Sequence, residues 1–203
     1  MDYSRLTFIK IDINYIKKLY FVDNEVFYNS DPNYDKKPYL GILINNDGRE
    51  YAIPLTSAKS KHAAWRDESE SNFRIYEIID IRTVDINNDD IVVDVNESYL
   101  LKLGVDKSNY CYYKKRILSI LEIKKMVPVK KEFYSLISFD KNGLDKEDVS
   151  RIELMNKEYN FCKKIKDKIL KKASRIYDKQ MKTGIVKPLY CDFKKLECES
   201  DKI

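Results

Sequence analysis

The chain has 203 residues, 43% hydrophobic and 35% charged, with 5 glycines, 5 prolines and a formal net charge of +5. That composition excludes a disordered or linker-rich chain and points to one domain, residues 1–203, with long regular elements and a densely ionic surface. No apolar run approaches a membrane span, and no basic segment leads into an apolar one at the N-terminus, so a soluble, cytoplasmic protein without a membrane partner is expected.

Residues 6–11 alternate as an opening strand, and Ile13, Ile16, Leu19 and Tyr20 then fall at helical spacing. A polar, turn-rich stretch follows, ending in Asp31-Pro32-Asn33-Tyr34-Asp35-Lys36-Lys37. Residues 38–44 read as a buried strand with Pro38 at its first position, where a missing N–H costs least. Asn45-Asn46-Asp47-Gly48 supplies the turn of a tight hairpin, and residues 49–55 return antiparallel.

Directly after that hairpin comes Pro54-Leu55-Thr56-Ser57-Ala58-Lys59-Ser60-Lys61-His62, which joins hydroxyls, lysines and the chain's only histidine. All of these groups can donate hydrogen bonds to phosphate oxygens. Ser57 can equally N-cap a helical turn over residues 58–65, with the lysines solvated. Antiparallel pairing favours convergence, because it brings the loop carrying Tyr34 and Lys37 to the same end of the hairpin as Thr56, Ser57 and Lys59.

Further strands are expected over residues 72–81, 117–123, 126–129 and 133–137. Between the first two lies an acidic excursion, residues 85–103, with a short strand at Ile91-Val92-Val93. Residues 147–182 contain no Gly or Pro, and Ile152, Met155, Tyr159, Cys162, Ile165, Ile169, Ala173 and Ile176 keep helical spacing. One basic helix is expected there, its apolar face on the sheet and Lys163, Lys164, Lys168, Lys171, Lys172 and Arg175 on the others. Gly184 and Pro188 end it.

Charge is unevenly placed. Residues 151–203 hold 15 Lys and Arg against 8 Asp and Glu, while residues 77–100 hold seven acids and one arginine. A polyanion should meet the C-terminal part and avoid the acidic segment. The 16 tyrosines exceed what such a core needs; some can stack on bases, although an AT-rich coding bias inflates the same residue types. Cys111, Cys162, Cys191 and Cys198 contain no CxxC pair, so reduced, mostly buried thiols and no metal or other cofactor are expected. A single histidine excludes a two-histidine acid–base ribonuclease.

Asp31-Pro-x-Tyr34-x-x-Lys37, the strand through Gly41-Ile42, Pro54-Leu-Thr-Ser-x-Lys59-x-x-His62, Lys125-Met126-Val127-Pro128-Val129 and Cys191-Asp192-Phe193, in this order, resemble the ToxN/AbiQ endoribonucleases of type III toxin–antitoxin systems. Residues 77–115 depart from the pattern as an acidic insertion. The resemblance implies an α+β fold with a compact, bent antiparallel β-sheet or barrel core similar to the MazF/Kid toxins. It implies metal-independent RNA cleavage leaving 2′,3′-cyclic phosphate and 5′-hydroxyl ends, and inhibition by a repeated pseudoknot RNA antitoxin that the toxin processes. It further implies closed toxin–RNA assemblies, cellular or phage RNA as substrate, and abortive infection.

On this reading Lys37, Lys59, Thr56 and Ser57 form the catalytic cradle and Tyr34 assists. Tyr15, Lys36, Lys61 and His62 contact RNA, and Lys163, Lys164 and Lys171 track its phosphates. A satisfied core phenol and a structural histidine are the alternatives for Tyr15 and His62. A non-catalytic RNA-binding module, or a toxin of related fold acting on a protein or DNA, are the competing functions.

Overall fold

Alternating and helical apolar patterns fold into one open antiparallel sheet with helices against it. The computed structural model describes residues 2–29, 38–44 and 48–203, with the side chains of residues 2–5 and 41–44 outside the description. The elements run β1 (Asp2–Ile11), α1 (Ile13–Val22), β2 (Tyr39–Ile44), β3 (Glu50–Ser57), β4 (Asn72–Asp80), β5 (Ile91–Asp94), α2 (Glu97–Lys102), β6 (Tyr113–Glu122), β7 (Val127–Val129), β8 (Tyr134–Leu136), α3 (Lys146–Lys164), α4 (Lys166–Thr183) and α5 (Phe193–Lys202). Strand order is β4-β6-β3-β2-β1-β8, with β5 also paired to β6 and β7 to β3. Among the described residues the sheet does not close, so the barrel alternative is corrected to an open sheet.

Strand β3 is the pivot. Its first half, Glu50 to Ala52, pairs with β7, whereas Leu55 to Ser57 pair with β6. Pro54 stands at the handover. With no N–H to offer, it gives up no ladder bond where one neighbour leaves and the next begins. The strand therefore carries Thr56 and Ser57 within it, two residues further than its sequence pattern suggested.

Strand β6 is shared in the same way. It pairs with β4 along its length, while its other edge meets β5 at Lys114 to Ile117 and β3 at Ser119 to Leu121. Residues 77–80 and 113–115 of the expected insertion thus belong to the β4–β6 ladder. The acids there are answered locally: Arg116 pairs with Glu77 (2.5 Å) and Asp90 (3.3 Å), and Lys114 with Asp94 (2.6 Å).

The expected single basic helix is two helices that meet at Ile165, where the backbone leaves helical geometry at φ −113°, ψ 16°. The break lets α3 lie on β4 and β6 while α4 turns to the 3₁₀ turn Ile123–Lys125 and to α5. The apolar stripe is nevertheless real, with Ile152, Met155, Cys162, Ile169, Ala173 and Ile176 all buried. Helices α2 and α5 were not foreseen. The later pieces of the family pattern meet here: the Cys191 N–H donates to the Lys124 carbonyl (3.0 Å), and the Gln180 amide bridges the Cys191 carbonyl (2.9 Å) and the Phe193 N–H (2.7 Å). Cys162 and Cys191 are buried but Cys111 and Cys198 are exposed, so burial holds for half of the thiols. Among the described residues no helix is long and apolar enough to cross a membrane.

Candidate active site

Where β3 ends, a cavity of about 350 Å³ opens between β3, the middle of β6 and the part of α3 from Glu147 to Glu158. Pro38, Leu55, Leu118, Leu154 and Met155 form its apolar walls, and Thr56, Ser57, Ser119, Glu147, Arg151 and Glu158 its polar groups. Ser57 is exposed and Thr56 half-buried. Neither hydroxyl has a hydrogen-bond partner among the described residues, which leaves both free to donate to a bound oxyanion. Pro38, through which the preceding segment joins β2, lines the same cavity. Tyr34, Lys36 and Lys37 lie outside the described residues.

The chain leaves β3 into a turn that presents Lys59 to solvent. Ser57 does not cap it; the 3₁₀ turn is Ser60–Ala64 and Lys59 is its N-cap. His62 closes the turn from inside: its Nδ1 accepts from the Lys59 N–H (2.9 Å), and its own N–H donates to the Lys59 carbonyl (2.7 Å). Burial first, then the charges of Lys61 and Lys59, lower the His62 pKa, so a neutral imidazole with its proton on Nε2 fits this geometry. With its ring buried against Trp65, His62 holds the lysine turn in place rather than meeting RNA as expected. Lys61 is exposed, its ammonium 6.0 Å from the centre of the Trp65 ring.

Buried Arg74 of β4 anchors this turn by donating to the carbonyls of His62 (3.1 Å) and Ala63 (2.9 Å), and it also grips Asp67 (2.5 Å). Lys115 reaches Asp67 as well (2.5 Å). Burial would raise the Asp67 pKa, but the hydrogen bonds from Lys115 and Arg74 outweigh it and hold the carboxyl below its ordinary range.

On α3, Glu158 is only 4% exposed, yet it lines the cavity. Burial pushes its carboxyl up to about 7, and the facing Ser119 hydroxyl offsets this in part. The Ser119 Oγ itself sits close by without a hydrogen bond of good geometry. Sequence reading passed over Glu158, although an acid between Met155 and Cys162 on an apolar stripe was the available signal.

Tyr15, expected at RNA, and Lys172, expected on an outer face of the basic helix, are both buried. Tyr15 is 1% exposed; its ring stacks on Phe133, and its hydroxyl donates to the Pro128 carbonyl (3.0 Å) and shares a hydrogen bond with Ser200 (2.9 Å). It is a core phenol, closed to RNA in this conformation. Lys172 is buried, donates to the Ser69 carbonyl and, with Lys168, pairs with Glu68 (both 3.1 Å). These two lysines clamp the segment after the His62 turn, while Lys163, Lys164 and Lys171 are exposed.

The family model described as Toxin ToxN, type III toxin–antitoxin system, matches residues 7–200. The chain belongs to that toxin family. An endoribonuclease ToxN from Bacillus thuringiensis subsp. kurstaki is 26% identical over 198 residues, covering 94% of this chain and 80% of that protein. The solved structure of AbiQ, a lactococcal anti-phage endoribonuclease of the type III class, is 22% identical, with a TM-score of 0.66 and 98% of both chains covered. Another, from a type III system whose toxin is selectively inhibited by a non-coding RNA pseudoknot, gives 22%, 0.65 and again 98% of both chains. At that identity the likeness to the two structures concerns the fold.

Proposed function

We propose that this chain is the endoribonuclease toxin of a type III toxin–antitoxin pair, held inactive by a pseudoknot RNA antitoxin and acting in abortive infection against phage. The observation that carries the reading is the pair of Thr56 and Ser57 hydroxyls on the wall of one cavity, with the exposed Lys59 two residues further along the chain. The family membership and the relatives' names support the same class of activity. The open antiparallel sheet is read as a relative of the MazF/Kid core.

RNA brings its own nucleophile, the ribose 2′-OH, so the reaction is an in-line attack on the adjacent phosphorus that needs no metal. It leaves a 2′,3′-cyclic phosphate and a 5′-hydroxyl. Thr56 and Ser57 donate to the non-bridging oxygens, and Lys59 and Lys37 balance the charge that builds on them. Tyr34 positions the scissile nucleotide. The exposed Lys163, Lys164 and Lys171 hold RNA phosphates without choosing sequence.

Labelled RNA incubated with the protein in EDTA tests this, with the product ends analysed chemically. Cyclic-phosphate ends are expected. Ser57→Ala should retain its fold and cut about 10²–10³-fold more slowly, the usual effect of removing one donor from a developing oxyanion. Binding without cleavage by the unaltered protein would overturn the enzymatic reading.

A further inference from the structure

The apolar stripe of α3 runs through Ile152, Met155 and Cys162, and the position between the last two is an acid. Burying a carboxyl without a partner opposes folding, so such a group calls for an explanation other than stability. Glu158 forms no ion pair among the described residues, and Arg151, two turns earlier, is paired with Asp148 (2.7 Å). The polar groups that share its cavity are the Ser119 hydroxyl from β6, Thr56 and Ser57 from β3, and Glu147 and Arg151 from its own helix, and the Cys162 thiol lies one turn on. Burial and the neighbouring Glu158 keep that thiol protonated. None of these is a cation free to neutralise the carboxylate. What Glu158 does face is the cavity that the Thr56 and Ser57 hydroxyls also line.

A phosphate would not enter beside a second anion, whereas a neutral hydroxyl donor suits both the carboxylate and the unpartnered Ser119 Oγ. The ribose hydroxyl next to the scissile phosphate is such a donor. We propose that Glu158 is the catalytic residue that accepts the proton of the attacking 2′-OH, with Ser119 orienting that hydroxyl. The proposal rests on the endoribonuclease reading above and supplies the proton acceptor that it left unassigned.

In the step, the O2′–H bond breaks and its proton passes to a Glu158 Oε. The O2′–P bond forms as P–O5′ breaks, and O5′ leaves with a proton from the Lys59 ammonium. Water then returns a proton to Lys59 and takes one from Glu158, so the protein ends as it began. A carboxyl poised near 7 is half ionised at neutral pH, which is where proton acceptors work best.

The test is a pH–rate profile between pH 5 and 9 for the unaltered protein, Glu158→Gln and Glu158→Asp on one RNA. RNA binding is measured in parallel, and folding is checked by near-UV circular dichroism. The unaltered protein should gain about tenfold per pH unit below 7 and then level off. Glu158→Gln should bind RNA within about threefold of normal, cut about 10²–10⁴-fold more slowly and lose that rising limb. Glu158→Asp should keep the limb at a reduced rate. A Glu158→Gln protein that retains both rate and limb overturns the assignment, as does one that keeps the limb but cuts at different bases, since the acid would then read sequence. If the unaltered protein itself leaves RNA uncut, the endoribonuclease reading fails instead.

Discussion

Replacing Glu158 by glutamine keeps the shape of the side chain and removes its titration. An ionised carboxylate at a site that is 4% exposed opposes folding, and the cost follows from the rise of its pKa from 4.5 to about 7. At about 1.4 kcal/mol per pKa unit this amounts to about 3 kcal/mol. Because the folded state holds this proton more tightly than the unfolded chain, its contribution is complete below pH 4.5 and declines as pH rises to about 7, beyond which it is constant. Urea unfolding from pH 4 to 8.5 reads this directly. The two proteins should be similar at the acid end, and Glu158→Gln more stable by up to about 3 kcal/mol at pH 8, a Tm rise of about 6–12 °C for a chain of this length. Parallel stability curves across the range would refute the placement of an unpaired carboxyl beside the cavity.

Tyr15→Phe should lose about 1 kcal/mol in urea unfolding, because the Pro128 carbonyl and Ser200 hydroxyl lose a buried partner. It should cut RNA normally; unchanged stability with weakened RNA binding would return Tyr15 to the interface. Arg74→Met strands the His62 and Ala63 carbonyls and half of the Asp67 network, and should cost about 2–4 kcal/mol in the same assay. A neutral effect would show that the lysine turn holds without it. Removing Lys163, Lys164 and Lys171 together should make the log–log salt dependence of RNA binding shallower by about 2, at ~0.7 per phosphate contact with single strands. An unchanged slope would take α3 and α4 out of the RNA path.

Local pattern was enough to place the β2–β3 hairpin, and with it the end of β3 at which Thr56, Ser57 and Lys59 gather. It was also enough for the apolar face of α3 and α4, since helical spacing survives the break between them. The break at Ile165 left no trace because neither Gly nor Pro marks it; it is imposed by what each helix packs on. Tyr15 and His62 are polar residues whose partners, Pro128, Ser200 and the Lys59 backbone, are fixed by tertiary or turn geometry. Glu158 was missed because periodicity counts apolar residues, and so reads an acid within the stripe as a gap. Helix α5 has only Phe193, Leu196 and Ser200 buried, too short a pattern to announce itself.

The shared edge of β6 separates two jobs along one strand. Ile91 to Asp94 of the excursion pair with Lys114 to Ile117, while Ser119 to Leu121 are locked against the far end of β3 by a different set of bonds. An insertion beyond β5 therefore leaves the β3–β6 rungs intact, whereas one that displaces β5 also disturbs the Ser60–Ala64 turn on which that strand packs. The tip of that appendage is accordingly a place to attach a tag or a tether while the rungs beside Ser57 keep their register.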